Sequence, residues 1–337
     1  MKAVAYKTPG PLDRPDALLN ITLETPEAEG RDLLVKVTAV SVNPVDVKVR
    51  RSMPPEGSEW RVLGFDASGV VEAVGPEVQN FIPGDAVFYA GSLVRPGTNS
   101  EYHLVDERIV GRKPASLTHA EAAALPLTAI TAWEMLFDRL DIERPPAQGG
   151  NLILVIGGAG GVGSITIQLL RALTDLTVIA TASRPETQDW VRECGAHHVI
   201  NHREPLAPQL EALGLGAPGF VFSTTQTDLH YADIVELIAP QGRFGLIDDP
   251  AGLDVMPLKL KAVSLHWEMM FTRSLFGTPD MAEQGKLLNE VAALVDAGRI
   301  TSTATDVAGK IDALTLSAVH ARIESGSTRG KIVLEGF

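Results

Sequence analysis

Short runs of apolar and β-branched residues, separated by Gly and Pro, dominate roughly the first 110 positions. MKAVAY, DLLVKVTAVSV, SGVVEAVG and DAVFYA read as strands, with IPGDA and RPGTNS as turns between them. The pattern predicts an irregular β-rich domain. From Thr118 the texture changes to an Ala-rich helical run, THAEAAALPLTAITAWEMLF, which Pro126 should break or kink near its middle. A domain boundary is expected there.

After DRLDIERPPAQGG, apolar runs alternate with helical patterns: NLILVIG, GVGSITIQLLRAL, LTVIATA, a helix from Arg184, HHVIN, GFVFSTT and GRFGLI. Strands separated by helices of this length predict parallel βαβ units, so this half reads as an α/β doubly wound, nucleotide-binding domain. Beyond about residue 270 come the amphipathic stretch MAEQGKLLNEVAALVDAGRI, a second helix from about Ile311 and the apolar run GKIVLEGF. This tail is expected to return to the first domain. No internal repeat or low-complexity segment interrupts the pattern.

The 337 residues suffice for two domains at roughly 100 to 200 residues each. A hydrophobic content of 45% against 21% charged residues is that of a folded chain, which excludes wholesale disorder. With 42 acidic and 29 basic side chains the formal charge is -13, so the mean field repels phosphate backbones and anionic membranes. Neither nucleic acid nor a membrane is an expected partner. Cys194 is the single cysteine, which excludes an intrachain disulfide and a Cys-rich zinc cage and fits a reducing cytoplasm. MKAVAYKTPG lacks an apolar signal core, and no run approaches the roughly 18 apolar residues of a membrane span. A soluble, unprocessed, cytoplasmic protein is expected.

Chemistry first becomes legible in NLILVIGGAGGVG, where Gly158, Gly160 and Gly163 stand at GxGxxG spacing between a strand and a helix, with Gly161 and Val162 completing the loop. Gly158 is expected to permit the tight turn and Gly160 to let the backbone approach a pyrophosphate. Gly163 should let the helix pack on the strand while its N-terminus faces the phosphates. Strand, loop, helix and second strand fall within about 30 residues, the context that makes this spacing a dinucleotide fingerprint. At the end of the second strand, where NAD enzymes usually carry an acid for the ribose 2′-OH, stand Ala182, Ser183 and Arg184. A hydroxyl and a guanidinium there suit a 2′-phosphate, so NADPH is the expected cofactor. SRPE is also a capping box, with Ser183 as N-cap and Arg184 in the first turn, and both readings can hold together. His197, His198 and His202 admit a metal reading beside an exposed or capping one. Cys194 reads as a small packed residue.

The order of parts resembles the medium-chain dehydrogenase/reductase superfamily over essentially the whole chain, and within it the quinone-oxidoreductase branch. The residues that carry this are SVNPVDVKVR (41 to 50), LGFDASGVVEAVG (63 to 75), PGDAV (83 to 87), ALPLTAITAWEML (124 to 136) and GGAGGVG. SLHWEMMFTRSLF (264 to 276) resembles a subgroup labelled zinc-type alcohol dehydrogenase-like. The resemblance implies an irregular β-rich GroES-like domain (1–125 plus 271–337) and a Rossmann doubly wound parallel-sheet domain (126–270). It also implies a homodimer paired through the edges of the nucleotide-binding sheets. Zinc-dependent relatives carry a Cys ligand in the stretch matching Val42 to Asp46, where this chain has Asn43 and Pro44. They have Gly-His-Glu where this chain has Gly64, Phe65 and Asp66, and their four-cysteine lobe is missing. Catalytic zinc needs about three side-chain ligands, so no zinc and no other metal is expected.

By the same resemblance Asn43 and Asp46 lie at the floor of the substrate cleft as catalytic residues, Asn43 reading either as a hydrogen-bond partner of a carbonyl or the cofactor or as a turn residue before Pro44. Lys48 stands where related quinone reductases often carry Tyr; it reads as a stabiliser of an oxyanion or as a solvated lysine. Thr128 is expected near the nicotinamide ring, or bonded to its own helix backbone. Asn201 is expected to bind the cofactor, Ser223, Thr224 and Thr225 to pass beside the adenosine, and Ile247 and Asp248 to lie near the nicotinamide ribose. Trp267 and Phe271, with Met270 between them, either wall an acceptor pocket or belong to core or interface. The expected activity is NADPH-dependent, zinc-independent hydride transfer to a quinone or α,β-unsaturated carbonyl, whose conjugation delocalises the incoming charge without a Lewis acid. A zinc-dependent alcohol dehydrogenase and a non-catalytic NADPH-binding sensor or structural protein are the alternatives.

Overall fold

Pro126 divides the Ala-rich run as the pattern predicts, because proline is tolerated at the first position of a helix and not inside one. The computed structural model describes residues 1–337. Up to that point the chain forms β1 (Lys2–Tyr6), β2 (Leu19–Thr22), β3 (Asp32–Ser41), α1 (Pro44–Ser52), β4 (Arg61–Val62), β5 (Asp66–Val74), β6 (Ala86–Ala90), β7 (Tyr102–Asp106), β8 (Val110–Arg112), α2 (His119–Ala123) and α3 (Pro126–Trp133). The helical run then widens into a π turn, Glu134–Arg139, which Leu140 closes by donating its N–H to Met135 O at 2.8 Å.

Next come β9 (Leu152–Ile156), α4 (Gly161–Leu173), β10 (Thr177–Thr181), α5 (Pro185–Glu193), β11 (His198–Ile200), α6 (Leu206–Ala212), β12 (Phe220–Ser223), α7 (Thr227–Leu237), β13 (Arg243–Leu246) and β14 (Ser264–Trp267). The tail adds α8 (Thr272–Phe276), α9 (Glu283–Asp296), β15 (Ala304–Val307), α10 (Ala313–Glu324) and β16 (Lys331–Glu335). Contacts divide the chain into unit one, residues 1–130 with 271–337, and unit two, residues 131–270. The first division falls inside α3, a few residues beyond the Pro126 break.

Unit one holds a seven-stranded sheet, in order β15-β16-β3-β5-β6-β8 with β7 also on β3, and a three-stranded sheet, β2-β1-β4. The tail returns as expected: β16 pairs antiparallel with β3, Val333 opposite Ser41. That pairing brings residue 331 beside residue 43 across most of the chain's length. The β-branched content of β3 suits a strand flanked on both sides.

Unit two is one parallel sheet in the order β11-β10-β9-β12-β13-β14. Its strands are nearly continuous apolar runs because helices cover both faces, and every residue of β9 and β12 is buried. Leu154, Ile156, Val221 and Phe244 from the strands pack with Ile234 and Leu237 of α7 and Leu206 and Leu210 of α6. The strand order reverses between β9 and β12, and in such sheets ligands bind beyond the carboxyl ends of the strands at that switch point. No helix is long and apolar enough to cross a membrane.

Candidate active site

The glycine loop sits at this switch point. The left-handed residue that turns the chain out of β9 is Gly157, at φ +79°, and not Gly158 as its place in the motif suggested. A Cβ on Gly157 would fall 2.4 Å from Thr224 Oγ1, while its N–H donates to Thr181 Oγ1 at 3.0 Å. Gly158 is instead a packing glycine, because a Cβ there would press on Ala180 at 3.0 Å and Val191 at 3.2 Å. Gly163 lies against the turn itself, and its Cβ would fall 2.3 Å from Gly157 O. Gly160, the N-cap of α4, is open, with nothing nearer a Cβ than Gly157 O at 3.6 Å. Gly161 and Val162 follow as the first residues of the helix, where backbone N–H groups lack intrahelical acceptors. Three glycines thus shape the backbone, and the fourth leaves a space beside a helix N-terminus that a side chain would fill. That cradle fits a pyrophosphate.

At the neighbouring carboxyl edges, α5 starts one residue later than the capping-box reading required. Arg184 and not Ser183 is its N-cap, with Pro185 following and Thr187 Oγ1 accepting from Arg184 N at 3.1 Å. Glu186 pairs with the Arg184 guanidinium at 3.0 Å instead of reaching back to the backbone. Asn201 is engaged in its own turn, accepting from Arg203 N at 3.0 Å and donating to Glu204 at 3.2 Å. His202 Nδ1 lies 3.1 Å from the same Thr181 Oγ1 that receives Gly157 N–H. Burial, then the nearby His230, Arg203 and Arg184, hold the His202 imidazole below its ordinary range. Ser183, Arg184, His202 and Arg203 therefore gather hydroxyl and nitrogen donors at one edge of an acidic protein. Sequence reasoning did not place His202 and Arg203 in this group, although their position just after the third strand was an available signal.

Other expected cofactor residues have structural partners. Ser223 is fully buried and accepts from Thr227 Oγ1 at 2.8 Å. Asp248 accepts from Thr227 N at 2.8 Å and so caps α7. Thr224 secures the glycine turn by donating to Ile156 O at 2.8 Å, and Thr225 is exposed beside it. Ile247 is half-buried at the end of β13. Thr128, in unit one, donates to Leu125 O at 3.1 Å, the self-bonded alternative of its two readings. His197 accepts from Val178 N at 2.9 Å, away from the Thr181 contact of His202, so the His-rich run does not converge. Cys194 is buried at the end of α5.

Unit one has its own buried polar cluster. Asn43 caps α1, and Asp46, three residues on, accepts from Asn43 N at 2.7 Å and Gly64 N at 3.1 Å. Burial raises Asp46 to about 7 against the pull of those N–H groups and Lys331. Asp66 is more heavily engaged: Oδ2 accepts from Ser41 (2.8 Å), Asn43 Nδ2 (2.8 Å) and Lys331 Nζ (3.1 Å), and Oδ1 from Leu127 N (2.7 Å). The Lys331 ammonium also donates to Val42 O at 3.1 Å and to Asn43 Oδ1. Lys48, two residues beyond Asp46, faces outward from α1 and is exposed. Phe271 is buried edge-on against Phe65, ring centroids 5.0 Å apart, whereas Trp267 in unit two is 51% exposed on β14. The two expected pocket walls are thus a core residue and a surface residue. Sequence reasoning missed Lys331, since only the β16–β3 pairing brings it to Asn43.

Known proteins agree with this two-unit plan. Residues 29–115 match the alcohol dehydrogenase GroES-like domain and residues 194–334 the zinc-binding dehydrogenase family. The zinc-type alcohol dehydrogenase-like protein SAS2087 of Staphylococcus aureus (strain MSSA476) is 40% identical over 336 residues, covering 99% of both chains. The human mitochondrial NAD(P)H oxidoreductase RTN4IP1 is 31% identical over 332 residues, covering 90% of this chain and 81% of that protein. A crystal structure from Rhizobium etli CFN 42, of a protein with a zinc-dependent alcohol dehydrogenase designation, superposes with a TM-score of 0.98 at 63% identity, covering 100% and 98%. The chain belongs to the medium-chain dehydrogenase/reductase superfamily, a family of oxidoreductases.

The zinc in these names meets no matching donor set in this chain. Within the stretches that match the zinc region of metal-dependent members, Asn43 and Asp66 are both engaged by the Lys331 ammonium, and Phe65 offers no donor. No group of three His, Cys, Asp or Glu side chains stands ready to hold a metal.

Proposed function

We propose that this protein is an NADPH-dependent, zinc-independent reductase of quinones or α,β-unsaturated carbonyls. The observation that carries the reading is the buried Lys331–Asp66–Asn43 cluster, in which an ammonium provides the positive charge among residues matching the zinc region of metal-dependent relatives. Oxidising a simple alcohol calls for a Lewis acid to lower the hydroxyl pKa, and a conjugated acceptor needs none. Bound NADPH supplies the hydride. The open space at Gly160 and the N-terminus of α4 hold the pyrophosphate, while Ser183, Arg184, His202 and Arg203 receive the 2′-phosphate. A phosphate dianion at that edge favours the charged form of His202. The protein's remaining task is to align acceptor and nicotinamide and exclude water, with solvent returning the proton after hydride transfer.

A homodimer joined along β14 completes the proposal. β14 is the edge strand of its sheet, and beside it Trp267 is 51% and Leu260 94% exposed, an apolar surface suited to a second copy.

The test is loss of NADPH absorbance by chelator-treated protein with a panel of small quinones and enones, beside NADH and a protein-free control. Protein-dependent oxidation that favours NADPH and survives chelation is expected. Activity on simple alcohols that chelation abolishes would establish the zinc dehydrogenase instead, and tight NADPH binding without turnover on any acceptor would establish the sensor.

A further inference from the structure

One buried hydroxyl joins His202 to the glycine turn. Thr181, the last residue of β10, is fully buried; its Oγ1 accepts the Gly157 N–H at 3.0 Å and lies 3.1 Å from His202 Nδ1. A threonine hydroxyl has a single hydrogen to give. With the ring neutral, that hydrogen goes to Nδ1 and the ring's own proton sits on Nε2, which bonds no other residue of the chain.

Strand register brings this ring to the phosphate edge. β11 pairs parallel with β10, Thr181 opposite Ile200, and Ala182 donates its N–H to Ile200 O at 3.0 Å. Ser183 and His202, each two residues past that pair, leave the sheet at the same edge, where His202 is half-buried. The charged groups around the ring are Arg203 and Glu204 on its own turn, Arg184 and Glu186 at the start of α5, and His230 on α7, with ring centroids 6.1 Å apart. Asp228, Asp233 and Asp248 lie toward His230, and the last two are held by the N–H groups of Leu206 and Thr227.

A second proton on the ring reverses the Thr181 bond. Nδ1–H must then donate to an oxygen that already receives Gly157 N–H, and the hydroxyl hydrogen must turn away from both. The glycine turn and the two neighbouring guanidinium groups therefore oppose the charged ring while the edge is empty of anions. A phosphate dianion removes that opposition, since it accepts from Nε2–H and draws the positive groups together. We infer that His202 discriminates NADPH from NADH by taking up a proton as the 2′-phosphate binds. The inference rests on the NADPH reading above and adds to it a coupling between cofactor affinity and pH.

Burial first, then His230 and the arginines, hold the ring below its ordinary range in the ligand-free protein, and the dianion acts in the opposite direction. The complex thus binds more protons than its parts across the interval between the two states. NADPH affinity falls as pH rises through that interval, by up to about tenfold per pH unit, whereas NADH affinity stays level. A phosphate ester is itself a dianion above about pH 7, so the change there belongs to the protein.

Isothermal titration calorimetry of the full-length protein at about pH 7.5, in buffers of different ionisation enthalpy, counts the protons. NADPH is expected to bring uptake of a measurable fraction of one proton and NADH none. The NADPH Kd should rise about threefold to tenfold between about pH 7 and pH 8.5. In His202→Gln, whose amide still donates to phosphate, NADPH should bind without uptake or pH dependence. Absence of NADPH binding at every pH would overturn the cofactor reading and the inference together. NADPH-selective binding without proton uptake, or uptake that persists in His202→Gln, overturns the inference alone. Should His202→Gln fail to fold, the ring NMR shifts of His202 in the wild type, with and without NADPH, report its proton directly, and an unchanged ring overturns the inference.

Discussion

Gly160 and Gly163 stand three residues apart in one loop, and a single methyl group at each should fail in opposite ways. In Gly163→Ala the new Cβ falls 2.3 Å from Gly157 O and 2.7 Å from Gly158 Cα, both backbone atoms with no rotamer to yield. Carbon and oxygen reach ordinary contact only above about 3 Å, so α4 must retreat by roughly 1 Å from the end of β9. Ile165, Ile167 and Leu169 of that helix are fully buried, and disturbing their packing costs about 1–3 kcal/mol or more. In Gly160→Ala the Cβ meets only Gly157 O at 3.6 Å, and φ −74°, ψ 175° suits any residue. Its stability should change by less than about 1 kcal/mol. The same methyl stands where a pyrophosphate must approach, so NADPH affinity should drop about tenfold to a hundredfold, about 1.4–2.8 kcal/mol. Thermal unfolding of the ligand-free variants and titration with NADPH read the two effects separately. Equal stability losses in both variants, or undiminished NADPH affinity in Gly160→Ala, would refute the division of labour.

Two further outcomes follow from buried charge. Lys331→Met leaves Asp66 without its cation in a site that excludes water, so denaturant unfolding should show a loss of about 3–5 kcal/mol, largely restored when Asp66→Asn is added; a missing restoration would show that the lysine acts through packing instead. His320 is fully buried with neither ring nitrogen partnered, and burial beside Arg50 pushes it down to about 3. The unfolded chain takes up that proton near 6.5 and the folded chain does not, so stability is lost as pH falls. Between about pH 7.5 and pH 5 the wild type should lose about 2 kcal/mol more than His320→Leu in urea titrations, and parallel losses would show that the imidazole is not held neutral.

Much of unit two was legible in the sequence because its signals are local. Apolar runs of strand length, helices of regular period and the glycine spacing all act within about 30 residues, and each is a response of the backbone to its immediate neighbours. Even there the motif misassigned the turn. Gly157 and Gly158 are equivalent on paper, and only the fold separates them, setting Gly157 at positive φ against Thr224 and Gly158 against Ala180 and Val191. Ser183 lost its capping role for a related reason: Pro185 is preorganised for the first helical position and draws the start of α5 one residue onward.

In unit one the sequence by itself determined the strands, the return of the tail and the absence of a familiar zinc ligand set. It could not pair residue 331 with residue 43, because that contact depends on the register of β16 against β3. Nor could it show that Asp46 and Lys48, two positions apart on α1, point to a buried network and to solvent respectively, or that Phe271 is core while Trp267 is surface. Local propensity and spacing are written into a stretch of chain. Burial, charge compensation and the choice of partner belong to residues that are distant in sequence, and only the tertiary structure sets them.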